Sequence, residues 1–433
     1  MIENKKVINA WVFYDWANSV YSLIITSAIF PIYYGLLFVN NTNIVSAFGI
    51  DFKRTALITL LTSVTFLLIS FLSPLLSGIA DYTGNKKGFL KFFCYVGAFG
   101  AFGLNWFSLE QIHLSLFFYF LGLIGFWCSL VFYNSYLPDI ANPENYDKIS
   151  ARGFSFGYIG SVLLMLFNLS MILFPSIYGI EGEEREVALT AMRYSFISVG
   201  IWWVVFSQYT FHYLPKGNSK NKKVNGNVFF NGFKELKSVY ESIKKNERLI
   251  KYLRAFFVYS MAVQTIMLVA TYFGEQEINW GDTDKTTGLI VSILLIQLIA
   301  VLGAYLTSFL SNKIGNIKAL IVVNIIWVFI CFYGYFVVTP MQFYVTAAFV
   351  GLVMGGIQSL SRSTYSKFLP DTKDTASYFS FYDVTEKIGI VIGMGIFGLI
   401  DQYSDSMRNA IIFLAVFFII GILLLRKVTK ITS

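Results

Sequence analysis

Twelve stretches of this 433-residue chain are each apolar over the length a helix needs to cross a bilayer, and no other feature constrains the fold as much. Roughly 20 apolar residues at about 1.5 Å each cover the ~30 Å hydrocarbon layer. The stretches lie near 11–38, 55–80, 89–107, 113–137, 152–175, 192–214, 252–274, 286–311, 317–338, 341–364, 376–400 and 408–426. Each is expected to be a helix, because unpaired backbone is not tolerated against lipid. Charged residues make up 13% of the chain and hydrophobic ones 56%, whereas a soluble domain carries about a quarter charged residues. The 44 Phe and 27 Tyr suit lipid-facing and headgroup-level positions. The chain therefore reads as an all-α integral membrane protein. Its first apolar stretch outruns a signal-peptide core and lacks a small-residue cleavage site, so the first helix is expected to be retained.

A net charge of +8 would suit a nucleic-acid partner if it were gathered on a soluble surface. Most of the 33 Lys and Arg instead lie in segments on one side of the twelve spans, which argues against nucleic acid. By the positive-inside rule, both termini are expected in the cytoplasm. The longest basic segment, Pro215 to Lys251, separates six spans from six, so the expected units are 1–214, a 215–251 linker and 252–433. Within the linker Phe229, Phe233, Leu236, Tyr240 and Ile243 recur at helical spacing among Lys234, Lys237, Lys244 and Lys245. That pattern suits an amphipathic helix on an anionic inner leaflet; a solvated tether fits it as well.

The halves resemble each other. Leu137-Pro138-Asp139 ends the fourth span and Leu369-Pro370-Asp371 the tenth, an offset of 232 residues. Ala80 to Lys87 follows the second span and Ser311 to Lys318 the eighth, an offset of 231. Parallel repeats related by an axis along the membrane normal characterise major facilitator transporters, whose substrate site lies between the halves. The expected architecture is that fold, twelve helices in two six-helix bundles.

Two sets of motifs sharpen the resemblance. Gly78-Ile79-Ala80-Asp81-Tyr82-Thr83-Gly84-Asn85-Lys86-Lys87 resembles the superfamily's loop signature after the second helix, with Ser77 and Tyr82 where a glycine and a basic residue are usual. The resemblance implies that Asp81, Lys86 and Lys87 brace a cytoplasmic gate, Asp81 lying by the N-terminal turn of the eleventh helix near Asp374 and Thr375. Tyr14 to Ser22, Phe132 to Pro138, Ser150 to Gly160 and Gly355 to Ser363 are similar to the vacuole-effluxer branch, which includes fungal autophagy-related vacuolar amino-acid exporters and many bacterial members. In the superfamily the cavity is lined by the first, fourth, seventh and tenth helices. That implies Asp15, Asn18 and Tyr21, then Asn134 with Tyr133 and Tyr136, then Gln264, then Gln358, Ser361 and Arg362.

Ionisable groups inside a bilayer cost about 2.5–3.5 kcal/mol each at a helix centre, so each marks a candidate site. In the eleventh span Asp383 and Lys387 are four residues apart and share a face, with Glu386 to the side. Lys387 falls near the midplane, with Asp15 and Asp383 shallower. Two readings stand: Lys387 holds a substrate carboxylate while Asp15 or Glu386 takes a proton or an amino group, or Asp383 and Lys387 merely neutralise each other for insertion. Glycines 153, 157 and 160 in the fifth span, and 389, 393, 395 and 398 in the eleventh, are expected to form close-packing or sliding surfaces.

An enzyme is disfavoured. There is no Walker-type loop, His113 and His212 lie at opposite-side span ends, and Cys94, Cys128 and Cys331 lie within apolar runs, so neither a cofactor nor a metal is expected. The expected function is a secondary active transporter that moves a small solute by alternating access. Amino-acid efflux is the class the resemblance implies, and coupled and uncoupled transport are both open. The rivals are a lipid flippase or scramblase on the same fold and a non-transporting signalling protein. The partners expected are substrate, protons if coupled, and membrane lipids, for a monomer in a bacterial inner membrane or, second, a vacuolar membrane.

Overall fold

The computed structural model describes residues 3–38, 44–217, 228–281, 285–404 and 406–429. Twelve long helices follow one another: Lys5–Leu36, Arg54–Thr83, Lys86–Gly103, Ile112–Asn134, Tyr146–Leu173, Glu184–Tyr213, Glu247–Glu277, Lys285–Ile314, Asn316–Phe336, Pro340–Phe368, Thr375–Ser404 and Met407–Thr429. Among the described residues, eleven helices are long and apolar enough to cross a membrane. The other long helix, Thr375–Ser404, is the one that carries Asp383, Glu386 and Lys387.

Several helices start well before their apolar windows. The fifth begins at Tyr146 rather than 152 and the sixth at Glu184 rather than 192, because helical hydrogen bonding does not stop where the hydrocarbon does. Polar side chains close such ends. Asn246 accepts from the Leu249 N–H at 3.0 Å, and Thr339 and Gln342 form a capping box around Pro340.

Two local features depart from the sequence reading. The first span is interrupted by a π-helical stretch, Tyr21–Ala28. The loop after it carries an antiparallel hairpin of β1 (Ile44–Ala47) and β2 (Ile50–Lys53), so the chain is not helical throughout. Phe48 and Gly49 turn it with φ of 54° and 75°, and the Phe48 N–H donates to His113 Nε2 at 3.1 Å.

Side chains gather into two large apolar cores. One is drawn from Ile8 through Leu214 and adds Ala376 and Ile390; the other takes Tyr158 and residues from Val239 to Val428. Across the seam between them the second span packs on the eleventh, and the fifth on the eighth and tenth. Small residues set some of these approaches. A Cβ at Gly157 would meet Ser19 of the first span, and one at Gly393 would meet Thr265 of the seventh. Gly395 and Gly398, expected to pack, face open space instead.

The linker contributes a helix, Val228–Lys245, that packs on the second and eleventh spans. Its face divides differently from the sequence reading. Val239 and Ile243 are buried, whereas Phe233 and Tyr240 are 57% and 46% exposed. The Phe229 side chain, and residues 218–227 of the expected linker, lie outside the described residues.

Candidate functional site

Charged groups collect at three levels of the seam. The first centre is built on one turn of the eleventh span. Lys387 Nζ donates to Asp383 Oδ1 at 2.8 Å and to Glu386 Oε2 at 3.0 Å. The four-residue spacing supplies the first pair, and the other spans supply the surroundings. Trp127 of the fourth span lays its ring 3.8 Å from Nζ, Gln264 Nε2 of the seventh donates to Glu386 Oε1 at 2.8 Å, and Ser73 of the second reaches Asp383 Oδ2 at 3.4 Å. Lys387 is fully buried, while the Glu386 side chain keeps 17% exposure. The Trp127 indole N–H is buried and has no hydrogen-bond partner among the described residues. Two carboxylates share one fully buried ammonium, and burial strengthens the electrostatic interactions among them. Such a centre can exchange one of its internal bonds for a ligand carboxylate or ammonium.

The second centre joins the first and tenth spans. Both terminal nitrogens of Arg362 lie 3.4 Å from Asp15 Oδ2, a loose contact, while Tyr133 Oη donates to the same oxygen at 2.6 Å. Arg362 is held more tightly by Ser150, Nε to Oγ at 2.9 Å and Nη2 to the carbonyl at 3.0 Å, and by Asn134 Oδ1 at 3.1 Å. Phe154, Trp11 and Tyr133 surround the guanidinium, with ring centroids 4.2, 4.7 and 5.4 Å from its carbon. This satisfies the fork on its edges and its faces. Gly153 makes room for it, since a Cβ there would stand 2.6 Å from Asp15 Oδ2.

The third level joins the halves at the end of the seam that carries the chain termini. Asp81 accepts from the Ser377 N–H at 2.7 Å and the Ala376 N–H at 3.3 Å, so its carboxylate sits on the positive end of the eleventh helix. Lys86 pairs with Asp139 and reaches Thr375, and Lys87 donates to the Leu214 carbonyl at 2.7 Å. A second carboxylate of the first half makes another contact across the seam. Asp147, in the first turn of the fifth helix, accepts from Ser311 at 2.9 Å, Asn316 at 2.7 Å and Lys367 at 2.7 Å. Nearby, the Asn142 N–H and the Asn145 amide hold the Glu3 carboxyl below its ordinary pKa.

The candidates from the sequence thus divide. Asp383, Glu386, Lys387 and Gln264 form the first centre, and Asp15, Asn134 and Arg362 the second. Gln358 accepts from Tyr158 Oη at 2.7 Å across the seam. Asn18 is buried, and Tyr21 is part of the first half's core, where it stacks on Phe126 with centroids 5.2 Å apart. Asn18 Nδ2 and Tyr21 Oη have no hydrogen-bond partner among the described residues. Asp15 and Lys387, which one of the two readings joins around a substrate, belong to separate networks. Sequence reasoning missed Trp127, Ser73, Ser150, Asp147 and Lys367. Ser150 opens a segment already singled out by its resemblance, and Asp147 carried a signal of its own, an acidic residue in a helix's first turn.

Asp81→Ala removes two charge-assisted bonds to a helix N-terminus, which are together worth about 1–2 kcal/mol. A cysteine placed at Ser377 is expected to react with maleimide roughly fivefold to tenfold faster in that variant than with Asp81 intact. The native cysteines are buried and provide a quiet background. Equal rates would remove Asp81 from the closure.

The helical bundles and the seam of buried charge are those of a major facilitator transporter, an integral membrane protein. The fold is shared with the E. coli fucose:proton symporter FucP, at a TM-score of 0.68 and 14% identity over 98% of this chain and 97% of that one. It is shared too with the proton:xylose symporter XylE, at 0.71 and 11% over 98% and 95%.

The chain belongs to the vacuole effluxer Atg22-like family, whose model matches residues 3–430. Among its relatives, the uncharacterized MFS-type transporter YxiO of Bacillus subtilis is 29% identical over 98% of this chain and 95% of its own. Autophagy-related protein 22 of Kluyveromyces lactis is 25% identical over 86% and 79%.

Proposed function

We propose that the protein exports a small zwitterionic solute of the amino-acid class by alternating access, residues 1–214 rocking against residues 252–433 with 215–251 as the connection. The observation that carries this reading is the Lys387 centre, an ammonium fully buried at the seam and shared between two carboxylates and a tryptophan face. A substrate carboxylate takes Lys387 from Asp383 or Glu386, and the freed carboxylate accepts the substrate ammonium or a proton. In a dry site each charge exposed by such an exchange must be paired again at once, which ties substrate binding to proton uptake. Asp81 and Asp147 hold the terminus-bearing end shut, so rocking must break both contacts. The family's description as vacuole effluxers supports export, the near full-length likeness to a Bacillus protein supports a bacterial membrane, and the bias of Lys and Arg to one side of the spans supports cytoplasmic termini.

Counterflow of labelled amino acids in proteoliposomes, with and without a pH gradient, tests this. Saturable flux that responds to the gradient is the expected result. No flux for any amino acid under either condition would overturn the substrate class.

A further inference from the structure

The linker helix touches both halves at the terminus-bearing end of the seam. Toward the first half, Gly232 lies directly on the second span, where a Cβ at Gly78 would run into the Gly232 carbonyl. Asn231 Nδ2 donates to Tyr82 Oη at 2.9 Å. Toward the second half, Tyr378 Oη donates to Ser242 Oγ at 2.8 Å, and Tyr240 stacks on Phe381 with centroids 5.9 Å apart. Asn246 then caps the seventh span directly, so the helix is tied to the second half by one residue. Any motion that separates the second and eleventh spans must therefore pull Gly232 and Asn231 away from Gly78, Ile79 and Tyr82.

The outward face has a different chemistry. Phe233 is 57% exposed, and Lys234, Lys237, Lys244 and Lys245 are all exposed beside it. Glu241 is the one exposed carboxylate on this helix among the described residues. The helix lies against the last turns of the second span and the first turns of the eleventh, which fixes its height at the edge of the hydrocarbon. Lysines interleaved with aromatic rings at that height match an anionic headgroup layer, to which the rings add apolar insertion.

We propose that this helix is a lipid-seated strap: anionic headgroups of the adjoining leaflet bind its lysine face and, by holding the helix in place, keep this end of the seam closed. Each lysine near an anionic leaflet contributes about a fivefold preference, lost at high salt. The role as a gate rests on the rocking motion proposed above; the lipid contact does not.

The test uses the full chain with Ile79→Cys, a position buried against Gly232, in vesicles of phosphatidylcholine alone or mixed with phosphatidylglycerol. Maleimide labelling at position 79 is expected to slow by about fivefold or more when phosphatidylglycerol is present. That slowing should disappear when Lys234, Lys237, Lys244 and Lys245 are all changed to Gln in a protein whose thermal unfolding is unchanged. A rate independent of lipid, or a lipid effect that survives the four substitutions, overturns the strap. The readout uses no substrate, so absent amino-acid flux leaves it standing. A lipid-sensitive label without gradient-driven flux would separate the two proposals.

Discussion

Arg362→Ala is expected to lower stability by about 3–5 kcal/mol, seen as a large drop in the thermal unfolding midpoint of the detergent-solubilised protein. The arginine is 2% exposed and Asp15 4%. Truncation strands the Asp15 carboxylate with only the Tyr133 hydroxyl, empties the space between Trp11 and Phe154, and frees Ser150 and Asn134 of their donor. Most of that cost is the buried unpaired charge, so Arg362→Met combined with Asp15→Asn is expected to recover the greater part of the lost stability. Arg362→Lys should not rescue, because a single ammonium cannot serve Ser150, Asn134 and Asp15 at once or stack between rings. If Arg362→Ala melted with the wild type, the contacts at 3.4 Å would be incidental.

Lys387→Met is expected to reduce flux by about a hundredfold or more, since it leaves Asp383 and Glu386 as neighbouring carboxylates with no cation between them. The informative variant is the double one, Lys387→Met with Asp383→Asn, in which the built-in ion pair is replaced by neutral groups. A pair that exists only to let the eleventh helix insert would be dispensable, and the double variant would transport at the wild-type rate. If Lys387 receives the substrate, the double variant folds and reaches the membrane but stays inactive in counterflow. The two substitutions touch one hydrogen-bonded network and are not expected to add.

The candidate residues were legible in the sequence to very different degrees. The Asp383–Lys387 pair could be read because both groups lie one turn apart on one helix. Asp81 was placed by its loop pattern, and the structure puts it on the N-terminal turn of the eleventh helix. The Asp15–Arg362 contact joins residues 347 positions apart and left no local trace. Trp127, whose ring covers Lys387, sits in a run of apolar residues that all look alike in one dimension. Tyr21, implied by the resemblance to line the cavity, stacks on Phe126 in the first half's core, and Asn18 is buried.

By itself the sequence determined the solvent of this protein, the order of its long apolar helices, and the one-turn charge cluster of the eleventh. These follow from helix rise, hydropathy and four-residue spacing, which act within a single element. Which centre each charge joins, that Asp147 adds a second contact between the halves at the terminus-bearing end, and that the linker helix bridges both halves were decided only by the tertiary structure. Those outcomes depend on how far each helix is rotated about its axis and shifted along it when the halves meet. Packing between distant segments sets both quantities, and the periodicity of one segment carries no record of its neighbour's.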